Sequence, residues 1–275
     1  MRSIDSVNGA FRQSVDVRTD VPHSARMYDY YLGGKDNYEV DRAAAEKVVK
    51  VFPNIRTAAR ANREFLGRAV RYLSAEQGVQ QFLDIGTGIP ASGNTHEIAQ
   101  EVTPCARIVY VDNDPIVLAH AAALLISNKA GATAYIDADL RDPGSILADP
   151  ELTRVLDLRQ PVGLLLVAIL HFIQDGDDPW TIVSTLLDAL PVGSYLVVTH
   201  ATGDFAPGEW AKIQSEYRSS GISAQVRSHV EVSRFFTGLE MVSPGLQVVS
   251  RWRPNTVPSD PDFAVSCYGA VARKR

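Results

Sequence analysis

The sequence predicts an α/β fold: a Rossmann-like, mostly parallel sheet of about seven strands, with helices on both faces, an antiparallel C-terminal hairpin and a helical N-terminal cap. Three observations predict it. Between residues 81 and 199, short β-branched or apolar segments alternate with helical ones, as in parallel strands joined by right-handed crossovers. The first of these segments runs into the turn Asp84-Ile85-Gly86-Thr87-Gly88, with a helix start soon after. The last two strand-like segments are separated by a Gly- and Pro-rich excursion instead of a helix.

Residues 1–23 are polar and aperiodic and read as a mobile terminus. Residues 24–78 read as a helical cap or lid, with no strand in them. One helix spans 40–52 and stops at Pro53; another spans 55–75, carries Leu66, Val70 and Leu73 on one stripe and ends before Gly78. Residues 79–275 form the sheet domain. Its first strand covers 81–85. Asn94 and Glu97 have the spacing of a capping box and open the next helix. A strand at 107–111 leads to Asp114-Pro115, an N-cap followed by Pro at the first helical position, and that helix runs to about residue 129. A third strand covers 133–136, and Asp142-Pro143 and Asp149-Pro150 start two short helices by the same device.

The almost uniformly apolar run 162–170 predicts a central strand covered on both faces. Asp178-Pro179 begins another helix, 195–199 is a fifth strand, and 207–220 is helical. Ser228 and Glu231 make a second capping box, and strands at 239–242 and 266–271 complete the sheet.

The 275 residues suit one large α/β domain with an elaborated terminus, and the formal charge of −5 with no basic run gives no footprint for a nucleic acid. The cysteines, Cys105 and Cys267, form no CxxC and no zinc-spaced cluster, so no metal site is expected. The amino terminus has no apolar core of a signal peptide, and the longest apolar run is too short to span a bilayer. These features predict a cytoplasmic protein with no membrane partner; they leave the oligomeric state open.

The chemistry is concentrated at the strand ends. Gly86 and Gly88 allow a tight turn and close approach of a ligand to the backbone, with Thr87 between them. Asp112 ends the second strand about twenty residues on, where a carboxylate accepts from both hydroxyls of a ribose. Gly86-x-Gly88-x-x-Ala91 also satisfies the dinucleotide fingerprint, so the turn alone does not choose a cofactor. Asp84 tilts the choice: it stands where dinucleotide enzymes place an apolar residue, and it can organise the loop amides or reach the cationic methionine end of S-adenosylmethionine. Asp139, just past the third strand, is placed for an adenine amino group, with Leu140 packing on the ring. Asn94 and Asn113, flanking these positions, are assigned to the same site. The bland alternative is that Asp84 and Asp139 are turn formers.

Several stretches together resemble a known family: Leu32-Gly33-Gly34-Lys35-Asp36-Asn37 within 25–38, Phe82-Leu83-Asp84-Ile85-Gly86-Thr87-Gly88-Ile89-Pro90, Val109-Tyr110-Val111-Asp112-Asn113-Asp114-Pro115, Leu170-His171-Phe172-Ile173, and Phe235-Phe236-Thr237-Gly238-Leu239-Glu240 with Pro244-Gly245. The chain is similar, from Ser24 onward, to a bacterial family of S-adenosyl methyltransferases once catalogued as a domain of unknown function. The resemblance implies the class I methyltransferase fold, S-adenosyl-L-methionine as cofactor with S-adenosyl-L-homocysteine as product, and adenosyl contacts at Gly86, Asp112 and Asp139. It implies no substrate.

Residues 24–38 interleave Tyr28, Tyr30, Tyr31 and Tyr38 with Gly33-Gly34, the composition of a closing flap. The expectation is that this flap covers the cofactor, with Tyr31, Gly33 and Tyr38 in contact; the alternative is that the tyrosines anchor the segment to the sheet. Arg60 and Arg63 share a helix face, and Arg63 is assigned to the cofactor site. His171, expected at the end of strand four, is the candidate catalytic base or positioning group, with His200 a weaker one. The expected partner is a small-molecule methyl acceptor, methylated at O, N or C. The Asn-Pro-Pro-Tyr motif of nucleic-acid amino methyltransferases is absent, the strand-four end reading Ile169-Leu170-His171-Phe172. Two rival functions remain at this point: a nicotinamide-dependent oxidoreductase, although no Tyr-x-x-x-Lys pair is present, and a catalytically silent binder of the cofactor or its product.

Overall fold

In the computed structural model, which describes residues 18–117 and 129–275, five parallel strands form the centre of one sheet. They are β1 (Gln81–Ile85), β2 (Arg107–Asp112), β3 (Ala132–Asp137), β4 (Gly163–Leu166) and β5 (Tyr195–Ala201). Three more strands finish it antiparallel: β6 (Glu240–Met241), β7 (Gln247–Val248) and β8 (Cys267–Arg273). The order is β3-β2-β1-β4-β5-β8-β6, with β7 also pairing β8. The chain order reverses direction between β1 and β4, the switch point at which open α/β sheets bind ligands.

Among the described residues the expected elements are present, with two differences. The described sheet has eight strands, because two residues of the Gly/Pro-rich excursion pair with β8 as β7. The apolar run after residue 162 is a strand only to Leu166. Ala168 takes a left-handed conformation (φ 58) while its N–H donates to Thr199 Oγ1 at 2.8 Å, so the chain leaves the sheet and coils into a 3-10 turn, Leu170–Phe172. Half-burial of residues 167–169 in the cavity wall and full burial of Leu170, not strand pairing, account for that apolar stretch. Residues 115–117 begin the expected helix behind Asp114; its remainder and the terminus at residues 1–17 lie outside the described residues.

Three helices precede the sheet: α1 (Ser24–Leu32), α2 (Glu39–Val51) and α3 (Ile55–Ala75). The long α3 buries Phe65, Leu66, Ala69, Val70 and Leu73 against the sheet and α4 (Thr95–Val102). Its Arg68 anchors the C-terminal excursion by donating to Val249 O at 2.7 Å and Trp252 O at 3.0 Å. The crossover helices α5 (Pro143–Ala148), α6 (Pro150–Val155) and α7 (Pro179–Asp188) each start on an Asp N-cap followed by Pro. Beyond β5 come α8 (Pro207–Ser219), α9 (His229–Ser233) and, late in the chain, α10 (Asp262–Val265).

Two apolar clusters result. The larger is the sheet core. The smaller joins α1, α2 and the start of α3 to α8 through Met27, Tyr31, Val48, Phe52, Trp210, Ile213 and Tyr217. The cap is therefore packed on α8, above the carboxyl ends of the strands. Among the described residues, no helix is long and apolar enough to cross a membrane, and no group of three His, Cys, Asp or Glu could hold a metal.

Candidate active site

The strand ends at the switch point open onto a cavity of about 450 Å³, floored by β1, β2 and the turn after β4 and roofed by α1, α3 and α8. Of the residues singled out in the sequence, Asp84, Gly86, Thr87, Gly88, Asp112, Asn113, Asp139 and Leu140 line it together. They come from three different strand ends, so only the parallel register brings them to one wall.

The first turn is shaped by Gly86 and Gly88, with φ of 75° and 66°. A Cβ on Gly86 would lie 2.7 Å from Ile169 Cγ1, so no other residue fits there without displacing the turn after β4. Gly86 N–H donates to Val111 O at 2.8 Å, and Thr87 Oγ1 donates to Asp84 O at 3.0 Å. Gly88 N–H donates to Asp112 Oδ2 at 2.8 Å, and Asp114 N–H donates to Asp112 Oδ1 at 3.0 Å. Each of these carboxylate oxygens keeps a further lone pair for a ligand hydroxyl.

Two buried carboxylates thus face the cavity. Asp84 accepts from Thr95 Oγ1 at 2.6 Å, and burial pushes its pKa up to about 6 despite that hydrogen bond and the nearby Arg63. Burial raises the Asp112 pKa too, against the two amides that favour its charged form. Such a pair suits a ligand that brings positive charge and hydroxyl donors. Asp139 is more exposed, accepting from Asn113 Nδ2 at 3.1 Å and from Arg141 N–H at 2.9 Å. Arg141, which no sequence motif marks, also donates to Phe172 O at 3.1 Å and so ties the third strand's end to the turn after β4.

The lid residues divide. Tyr31 and Arg63 line the cavity, as do Tyr28 and residues 21–25. Gly33, Tyr38 and Asn94 do not. Gly33 is the left-handed C-cap of α1, and the Gly-Gly turn wraps around Asp29, whose carboxylate accepts from Asp36 N–H at 3.0 Å and Asn37 Nδ2 at 2.7 Å. A Cβ on Gly34 would run into that carboxylate. The Leu-Gly-Gly-Lys-Asp-Asn block thus builds a turn behind the cavity, and Tyr38 sits at the N-cap of α2 with its ring under Arg26. Asn94 stands one layer back, accepting from Arg63 Nη2 at 3.0 Å and from Ala91 N–H at 3.1 Å.

The cap is held over the site by a buried ionic network. Asp114 lies 3.3 Å from Arg26 Nε and 3.0 Å from His23 Nδ1, and Arg26 also reaches Asp41. Burial works against the Asp114 charge, but His23, the Ile116 N–H and Arg26 outweigh it and hold its pKa below the usual range. The foot of α1 is thereby fastened to the end of β2.

His171 lines the cavity from the 3-10 turn, five residues past the end of β4, and its Nδ1 is buried without a partner. Burial, aided by the positive charge of Arg227, lowers its pKa to about 4, so the ring is neutral at physiological pH. His200 is fully buried inside β5 and does not line the cavity. With Ala201 O 2.7 Å from Nδ1 and Arg227 Nη1 donating to Nε2 at 2.8 Å, it is a neutral structural histidine.

Arg227 was not legible in the sequence. It is 1% exposed, donates to Leu170 O and Ile173 O on either side of His171-Phe172, and pairs with Asp175 at 2.7 Å. Its partners lie 27 to 57 residues away in sequence, and no local pattern marks it. Trp210 and Tyr217 on α8 and the 221–226 loop were also missed as cavity walls, since only packing of α8 on the cap brings them there.

The model of the S-adenosyl methyltransferase family matches residues 10–275. Among solved structures, a DUF574 family protein from Streptomyces avermitilis MA-4680 is 48% identical, with 94% of this chain and 100% of that one covered at a TM-score of 0.92. A candidate methyltransferase from Thermobifida fusca YX is 38% identical, with 97% and 100% covered at a TM-score of 0.87. No curated protein matches. Nothing in these comparisons supports an oxidoreductase. A mostly parallel sheet with a switch point between β1 and β4, a cradle at the first turn that only glycine fits, and a family match over residues 10–275 agree: the chain belongs to the S-adenosyl methyltransferase family and is an S-adenosylmethionine-dependent enzyme of the class I fold.

Proposed function

We propose that the cavity holds S-adenosylmethionine along the carboxyl ends of β1 to β3 and passes its methyl group to a small molecule at O, N or C. The observation that carries this reading is the pair of buried carboxylates, Asp84 and Asp112, flanking the Gly86–Gly88 turn in one cavity wall. Asp112 would accept from the ribose hydroxyls through its remaining lone pairs. Asp139 and Asn113 would meet the adenine amino group, with Leu140 against the ring, and Asp84 would face the methionine ammonium directly or through water. Thr87, Tyr31 and Arg63 complete the wall, Arg63 being oriented by Asn94. Residues 24–78 act as a cap, residues 79–275 as the cofactor-binding domain.

The cofactor supplies an activated methyl group. The protein therefore has to align the acceptor in line with the breaking carbon–sulfur bond and exclude water. The neutral ring of His171 suits hydrogen-bond acceptance from the acceptor better than outright proton removal, since a base of pKa about 4 has little drive to take a proton.

Thermal unfolding tests the cofactor site. S-adenosylmethionine or S-adenosylhomocysteine at about 100 times its dissociation constant adds about 2.7 kcal/mol, a rise of about 5 °C for a chain of this size. The rise should vanish in Asp112→Ala, checked as folded by circular dichroism. A rise with NAD alone would overturn the reading. Tight cofactor binding with no methyl transfer to any of a broad acceptor panel would favour a catalytically silent binder.

A further inference from the structure

The cavity is charged at one end only. Its Asp, Arg and His lining residues, His23, Arg63, Asp84, Asp112, Asp139 and Arg141, with neutral His171, belong to the strand ends, the foot of α1 and the facing edge of α3. The part roofed by α1, the start of α3, α8 and the 221–226 loop has Arg63 at its edge, with the guanidinium turned to Ala91 O and Asn94 Oδ1, and no other Asp, Glu, Lys or Arg in its lining. It is walled by rings instead: Tyr28, Tyr31, Phe172, Trp210 and Tyr217. Phe172 and Tyr217 meet edge-on at 5.9 Å, and the Tyr31 and Tyr217 hydroxyls are 3.4 Å apart. Burial pushes the Tyr217 hydroxyl up to about 12, so the pair stays protonated; one hydroxyl donates to the other and leaves one O–H to donate onward.

Other polar atoms of this chamber are already engaged. Tyr28 O–H donates to Ala59 O at 3.0 Å and accepts from Asn62 Nδ2 at 2.8 Å, while Gln214 accepts from Val226 N–H at 3.2 Å. Two cavity-lining side chains more than nine-tenths buried retain unpartnered polar atoms, Asn62 Oδ1 and Trp210 Nε1. At the boundary with the charged end stands His171 with its orphaned Nδ1. A charged acceptor here would lose its hydration and meet no counter-charge. A flat, neutral ring gains contact with aromatic walls on several sides.

We infer that the methyl acceptor is an uncharged aromatic molecule bearing a hydroxyl group, held by the ring-lined chamber with the hydroxyl toward His171. The inference rests on the methyltransferase reading of the cavity and narrows its substrate class. In the transfer the acceptor oxygen forms a bond to the methyl carbon as the carbon–sulfur bond breaks. The sulfur keeps that electron pair and becomes a neutral thioether, and the hydroxyl proton leaves to water. Phosphorylated, carboxylated and ammonium-bearing acceptors are excluded by the same lining.

The test uses the full chain saturated with S-adenosylhomocysteine, titrated calorimetrically with three matched probes: naphthol, a hydroxynaphthoate and an aminomethyl naphthol. The neutral naphthol should bind about a hundredfold more tightly than either charged analogue. Tyr217→Leu should lose naphthol binding with S-adenosylhomocysteine affinity retained, and Tyr217→Phe, which keeps the ring, should restore it. Equal binding of a charged analogue, or failure of all three probes to bind, would overturn the inference. Should Tyr217→Leu not fold, the comparison of probes on the natural chain still decides. Absence of S-adenosylhomocysteine binding would sink the cofactor reading instead, and the probes titrated against the protein alone would still judge the chamber.

Discussion

Asp84 offers the sharpest test of how the site is built. Its carboxylate is 6% exposed, and burial lifts its pKa from 3.8 to about 6. Because the folded pKa lies above the unfolded one, the folded protein binds the proton more readily. The stability this group contributes is therefore full below about pH 4 and is lost as pH rises through 6. At about 1.36 kcal/mol per pH unit, a rise from 3.8 to about 6 holds about 3 kcal/mol against folding at pH 8. Asp84→Asn removes the charge while its amide oxygen can still accept from Thr95 Oγ1. The variant should unfold up to about 5 °C higher than the natural chain at pH 8, with the difference shrinking to nothing by pH 4. Its S-adenosylhomocysteine-induced rise should fall if, as proposed, that carboxylate faces the ligand's ammonium. Paired melting curves across pH 4 to 8 make the measurement, and other titrating groups cancel in the difference. A less stable variant at pH 8, or a gap that does not change with pH, would refute the reasoning.

The other predictions are more local. Gly86→Ala combines a left-handed backbone with a methyl 2.7 Å from Ile169 Cγ1, and should cost about 2–4 kcal/mol in chemical denaturation; an unchanged midpoint would mean that the turn yields freely. Arg227→Met strips partners from Leu170 O, Ile173 O and His200 Nε2, and should cost about 3 kcal/mol even though half-exposed Asp175 can rehydrate. A loss below about 0.5 kcal/mol would show that water replaces the guanidinium. His171, held neutral by burial, should give a proton resonance that does not titrate until about pH 4, and its contribution to stability should drop as pH falls from 6.5 toward 4. A titration midpoint near 6.5 would show that the ring is solvated.

The sequence by itself determined the layered architecture and one wall of the cavity. Strand and helix periods, Asp-Pro and Asn-x-x-Glu helix starts, and the Gly86–Gly88 turn are local signals, each set by backbone geometry within a few residues. Asp84, Asp112 and Asp139 were legible because each sits at a fixed offset from its own strand end, and the parallel register then aligns those ends. The tertiary structure decided whatever depends on distant partners. The apolar run after residue 162 reads as one strand, yet it leaves the sheet after Leu166, since burial of a loop and of a strand selects the same residues. The segment 24–38, read as a flap, brings Tyr28 and Tyr31 to the cavity, but its Gly33-Gly34 block is a turn folded around Asp29, which only contacts seven and eight residues away reveal. Trp210 and Tyr217 reach the cavity, and Arg227 the carbonyls on either side of His171-Phe172, only through packing of α8 and its following loop. Local sequence carries no trace of such contacts, because closure of the chain over long separations creates them.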